Sequence, residues 1–136
     1  MRSKIVITYA AGKMEWYLQQ KNKILPGLFT MEEEPKVLDL NKDILEGSPE
    51  KGIWSQTFHK TKGMNAVVMR LAAGEDLTEH TSKYEAVIHA LSGKATITLG
   101  ENEVQATAGT WIHMPAKTPH SVTATEDFLM LLYIVK

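Results

Sequence analysis

Five histidines and no cysteine set what chemistry this chain of 136 residues can carry. Without thiols it has no disulfide, no thiolate metal site and no cysteine nucleophile, so any metal would rest on imidazole, carboxylate or water. His120 closes the stretch Gly109-Thr110-Trp111-Ile112-His113-Met114-Pro115-Ala116-Lys117-Thr118-Pro119-His120. Trp111, Ile112 and Met114 make an apolar run too short for an amphipathic helix, and Pro115 and Pro119 each remove a backbone donor. The expectation is a β-hairpin that presents a histidine. Beyond the turn His120, Val122 and Ala124 alternate with Ser121 and Thr123, which points His120 inward if the apolar face is the core. A lone inward histidine is more often a satisfied core residue than a ligand, so a functional reading needs a partner for it.

The segment from Gly74 to Gly93, with His80 near its start, offers that partner. Together the two stretches resemble the paired motifs of the cupin superfamily. Gly74, His80 and Gly93 fall in register with the first motif, and Gly109, Pro115 and His120 with the second. The departures are Ser82 for the second histidine, Ala86 for the metal glutamate, Lys117 for the glycine and Ala124 for the asparagine. The resemblance implies an all-β, single-domain cupin-type jelly-roll β-barrel that pairs into homodimers. It also implies a divalent transition metal (Zn, Fe, Mn, Ni or Cu) inside the barrel, with His80 and His120 at matching ligand positions. A useful site wants a third protein ligand. His113 ranks first, on the strand before Pro115. Glu85 ranks second, turned inward by a β-bulge, and His89 third, since its parity opposes that of Ala86. The bland alternative makes His89 and His113 packing or surface residues and Glu85 a solvated strand end.

Other residues are weighed in the same way. Arg70, mid-strand among apolar neighbours, either binds an anionic group in the lumen or forms a structural ion pair. Lys117 either reaches over the barrel mouth or is a solvated turn residue. Tyr84 either donates a proton there or packs. Small residues at Ser82 and Ala86 would enlarge a ligand cavity. Ser82 has no base in a triad pattern, which disfavours nucleophilic catalysis. His59 lies at a hairpin end.

These groups must be positioned by strands. Turn signals recur from residue 46 onward, around apolar stretches at residues 53–59, 64–72, 86–91, 95–99 and 104–107, with a shorter strand expected at residues 37–40. Residues 128–135 are apolar throughout, which fits a strand buried on both faces. Residues 36–136 therefore read as the barrel and residues 1–35 as an irregular arm, with a short strand at residues 5–9, a helical or irregular stretch at residues 14–23 and a solvated acidic loop before Pro35. Met14 is a second position from which the chain could start.

At 43% hydrophobic residues and a net charge of −1, the chain suits one domain and lacks the basic stripe of a nucleic-acid binder. Its apolar runs fall far short of the roughly 20 residues that span a bilayer. A cytoplasmic location is expected, since the apolar start is too short for a secretory signal. Three functions are compatible with this reading: a protein binding a small molecule in the barrel, a metal-dependent dioxygenase, isomerase or decarboxylase acting on a small, perhaps anionic, substrate, and a dimeric scaffold.

Overall fold

The computed structural model describes residues 34–136. The expectations for residues 5–9 and 14–23, for Met14 as a start and for most of the acidic run lie outside the described residues. Asp39–Lys136 form a compact unit by themselves.

The strand expected at residues 37–40 does not form. Asp39 is the reason: its Oδ1 accepts from the N–H groups of Asn41 (3.0 Å) and Lys42 (3.3 Å), and its carbonyl accepts from Asp43 N–H at 2.7 Å. Asp43 Oδ2 reciprocates by accepting from Asp39 N–H at 2.8 Å. This mutual capping starts a turn, which continues as a short π-helix at Asn41–Leu45.

Nine strands follow among the described residues: β1 (Ile53–Lys60), β2 (Met64–Leu71), β3 (Asp76–His80), β4 (Glu85–Ser92), β5 (Lys94–Leu99), β6 (Asn102–Thr107), β7 (Trp111–Met114), β8 (His120–Ala124) and β9 (Phe128–Val135). They form two antiparallel sheets, a five-stranded one in the order β1-β2-β9-β4-β7 and a four-stranded one in the order β3-β8-β5-β6. β3, which the apolar pattern does not single out, owes its place to pairing with β8. β9 is central, between β2 and β4, as its two-faced apolar run requires.

One expectation is overturned by this topology. β7 and β8 are not a hairpin, because β7 pairs with β4 in one sheet and β8 with β3 and β5 in the other. Residues 115–119 carry the chain from sheet to sheet. The two prolines withhold the N–H groups that a continuous ladder would need, and the turn is closed by Thr118, whose hydroxyl donates to the Pro115 carbonyl at 2.7 Å. Lys117 sits at a positive φ of 67°, where a side chain is strained.

The inner faces of the two sheets share one core. Leu71, Ala90, Ala95, Ala106, Ala124 and Phe128 seal one end of it, all essentially inaccessible to solvent. Toward the other end the inward residues Leu99 and Ile134 are only partly buried. The sandwich is thus closed at the Phe128 end and open at the Leu99 end.

The closed end depends on a close backbone approach at the β4–β5 turn. Gly93 has φ +86°, and a Cβ built there would lie 1.8 Å from the Asp127 carbonyl oxygen. Gly93→Ala is expected to cost at least about 2 kcal/mol by denaturant unfolding, from backbone strain plus displacement of the residue 125–127 turn. Gly63→Ala, where nothing lies within 4 Å and φ is not positive, should stay within about 0.5 kcal/mol of the parent.

Candidate functional site

His80 ends β3 and His120 begins β8, and the ladder sets them directly opposite one another. Their ring centroids are 4.3 Å apart with planes tilted by 59°. His120 is buried, on the face shared with Val122 and Ala124 as the alternation requires, while His80 is open to solvent. Both rings are oriented in the same way. His80 Nδ1 lies 2.8 Å from the Thr78 carbonyl and His120 Nδ1 lies 2.8 Å from the Thr118 carbonyl. A carbonyl only accepts, so in each neutral ring Nδ1 carries the proton and Nε2 keeps its lone pair. The pair therefore offers two unprotonated nitrogens, the orientation that metal-binding histidines also adopt.

Two inward rungs of residues lie at the open end, and the pair belongs to one of them. On the four-stranded sheet the inward rung runs His80, His120, Leu99. On the five-stranded sheet it runs Asn65, Ile134, Ala86, Met114, with Ala86 and Met114 in the core. Short connections hold both rungs at the same end, since His80 leads through residues 81–84 into β4 and Met114 leads through residues 115–119 to His120. The two connections are bonded to each other by Lys117 N–H donating to the Ser82 carbonyl at 2.7 Å.

The other candidate residues stand elsewhere or are engaged. Glu85 and His113 lie on the outer face of the five-stranded sheet, opposite in parity to the buried Ala86 and Met114. No inward-turning bulge occurs at Glu85, whose Oε1 lies 3.6 Å from His113 Nε2, both side chains being almost half exposed. His89 shares that outer face, beside Trp111 in the ladder. Among the described residues no three His, Cys, Asp or Glu side chains are grouped to hold an ion. Ser82 Oγ accepts from Tyr84 N–H at 3.0 Å, which ties one lone pair of the hydroxyl to its own turn. Ala86 is buried and brings only a methyl. Lys117 is an exposed turn residue, and Lys83 lies over the Tyr84 ring at 5.2 Å.

Arg70 is turned to the outer face with Ala66 and Val68. It donates to the carbonyls of Ser48 (3.4 Å) and Pro49 (3.0 Å) and to the Ser48 hydroxyl, and it lies 5.9 Å over the Trp54 ring. It secures the loop before β1 through neutral acceptors, in place of the carboxylate partner expected. His59 is partly buried on β1, opposite Ala66.

Asn65 escapes the sequence analysis. Its Oδ1 is shut off from solvent and has no hydrogen-bond partner. The available signal was an amide in the otherwise apolar run Ala66-Val67-Val68-Met69, since asparagine is disfavoured in strands.

Comparison with known proteins gives a concordant picture. The family model for the cupin domain matches residues 67–135. No curated protein matches the chain. Among solved structures, the chain is similar to a conserved protein of unknown function from Streptococcus pyogenes, SPY1581, at 34% identity and a TM-score of 0.64, covering 76% of this chain and 90% of that one. An RmlC-like cupin protein from Desulfovibrio desulfuricans shares the fold at 23% identity and a TM-score of 0.62, over 68% of this chain and 92% of that one. So does a cupin superfamily protein from Desulfitobacterium hafniense, at 19% identity and 0.61, over 65% and 81%.

The carbonyl contacts predict a tautomer. In long-range 1H–15N spectra of the neutral protein, His80 and His120 should show a protonated Nδ1 and an unprotonated Nε2, the reverse of the form a free neutral histidine prefers. A spectrum with both rings protonated at Nε2 would refute the assignment.

Proposed function

The chain belongs to the cupin superfamily, and on that premise we propose that it binds a small molecule at the open end of a jelly-roll barrel, against His80 and His120. The observation that supports this reading is the imidazole pair itself, with both Nδ1 atoms tied to carbonyls and both Nε2 atoms left to a ligand. Around it the partly buried Leu99 and Ile134 supply apolar surface. Apolar walls with a few converging polar groups are what small-molecule sites are made of.

A transition metal is the cofactor such a fold implies, and it would supply Lewis-acid or redox chemistry if bound. Among the described residues the donors fall short of holding one firmly. Two imidazole nitrogens are fewer than the three protein ligands a catalytic ion generally keeps, and Ser82 and Ala86 add a hydroxyl engaged by Tyr84 and a methyl. Glu85 and His113 face away. The reading therefore assigns the Nε2 atoms to the ligand itself, as acceptors when neutral and as donors when protonated.

Two measurements test this. Protein purified without a histidine tag should carry metal far below one equivalent, with no difference in His80→Ala or His120→Ala; near-stoichiometric metal lost in both variants would transfer the assignment to a metal-dependent enzyme. A thermal-shift screen of small metabolites should give compounds that stabilise the parent by about 2.7 kcal/mol at a hundredfold excess over Kd, and that stabilise neither variant. Compounds acting equally on all three proteins would overturn the site.

A further inference from the structure

The connections at the two ends of the sandwich differ in charge. Ladder register and loop bonds place the β1–β2 turn, residue 136, the loop at residues 81–84, the β5–β6 turn and the crossing at residues 115–119 at the open end, with His80 and His120. Among the described residues, these connections and the strand ends beside them carry Lys60, Lys62, Lys83, Lys117 and Lys136 against Glu85 and Glu101. Lys60 pairs with Asn65, which puts it on the inner face of the five-stranded sheet, on the rung that continues through Ile134, Ala86 and Met114. Glu85 is on the outer face beside His113, Glu103 is outward opposite Thr98, and Glu79 lies in the irregular part of β3. The same positions at the closed end carry Glu75, Asp76, Glu126 and Asp127 against Lys94. Two of those acids serve the fold, since Asp127 Oδ1 accepts from Ala73 N–H at 2.8 Å and Asp76 Oδ1 accepts from the Thr123 hydroxyl at 2.8 Å. The lysines of the open end are all exposed, and among the described residues none is in an ion pair. Lys117 keeps its place at a φ of 67° that glycine would adopt without strain.

We propose that the open end selects an anionic small molecule, drawn to His80 and His120 by the lysines around the mouth. The inference rests on the binding reading above and adds the class of ligand. It requires a positive field at the site and no contact with any one ammonium. Neighbouring strands are about 4.8 Å apart, so the five-stranded sheet is about 20 Å across and its centre about 10 Å from either edge. Lys60 is on the edge strand β1 and Lys117 follows the edge strand β7, so the middle of the mouth lies about one Debye length, about 10 Å at 0.1 M salt, from a cation on each side. The acids of the closed end are about 25 Å away, the length of the eight residues of β2, and are screened from it. Low-dielectric walls around an entrance concentrate such a field. A carboxylate or phosphate group supplies the complementary charge, whereas a neutral molecule gains nothing from it. Lysines that merely keep the surface solvated would leave the ligand's charge without effect.

The test uses the full chain, with succinate as the anionic probe and succinamide as its neutral isostere. Each is titrated at one fixed pH and low salt while the His80 and His120 resonances are followed by NMR. Succinate should shift both rings saturably, succinamide should bind at least about tenfold more weakly, and added sodium chloride should weaken succinate alone. Lys60→Glu and Lys117→Glu combined should weaken succinate by about tenfold, the effect of two charge reversals acting through screened water. Lys94→Glu, the same change at the closed end, should leave the affinity within about twofold. The salt and succinamide arms use the parent alone, so they decide the matter even if the double variant is unstable. A parent that takes succinamide as well as succinate, or takes neither, overturns the proposal, as does equal weakening by Lys94→Glu. If His120→Ala abolishes binding of both molecules while the lysine reversals change nothing, the anionic class fails and the binding site stands. If succinate binds the parent and His120→Ala alike, the site at the histidines is wrong and the proposal falls with it.

Discussion

The burial of one face of each sheet against the other is the constraint on which this molecule depends. Period-two alternation sends Leu71, Met69 and Val67 to the inner side of β2 and Ile88, Ala90 and Ala86 to that of β4, while Ile97, Val122 and Ala95 do the same from the second sheet. A one-residue slip in any pairing would turn its apolar set outward, so burial and register enforce each other. The same burial fixes where polar groups can survive. Among the described residues the inner face at the Phe128 end is apolar, and the imidazoles and the amide lie at the opposite end.

Within that frame the two histidines are positioned mainly by backbone. Each ring is held by the carbonyl two residues before it, so the pair needs no carboxylate to set its tautomer. The crossing connection at residues 115–119 and the loop at residues 81–84 are bonded together through Lys117 and Ser82, which brings the ends of β3, β4, β7 and β8 to one place. Two positions that carry ligands in the motifs this chain resembles have here been given over to structure, Ser82 to its turn and Ala86 to the core. An amide on the neighbouring rung keeps an unpaired oxygen. Local rules broken without structural compensation are where function is to be sought in a folded chain.

Much of the architecture was legible in the chain. The strands at Ile53–Lys60, Met64–Leu71 and Lys94–Leu99 follow from short apolar stretches between turn residues, Phe128–Val135 follows from its unbroken apolar run, and the inward direction of His120 follows from parity with Val122 and Ala124. Glu85 and His113, ranked from the sequence as third ligands, were misplaced by that reading, because nothing in β4 bulges to turn Glu85 inward and His113 alternates with the buried Ile112 and Met114. The apolar pattern failed where local polar contacts outweighed it. At residues 37–40 the carboxylates of Asp39 and Asp43 bonded the backbone into a turn. At β3 an alternation too polar to notice became a strand because β8 offered it a ladder.

The sequence by itself determined the inward direction of His120 with Val122 and Ala124, since alternation is a property of neighbouring residues, and it determined that His80 and His120 are the histidines with matching motif positions. Tertiary structure alone decided that β7 and β8 part into different sheets, that the two rings come to 4.3 Å, and that Arg70 is spent on the loop at Ser48 and Pro49. It also decided that the Asn65 carbonyl is left without a partner. The physical reason is range. Parity is set by the pleat over two residues, whereas strand partners, ring separation and the satisfaction of a buried oxygen depend on groups tens of residues away, brought together by burial rather than by any pattern along the chain.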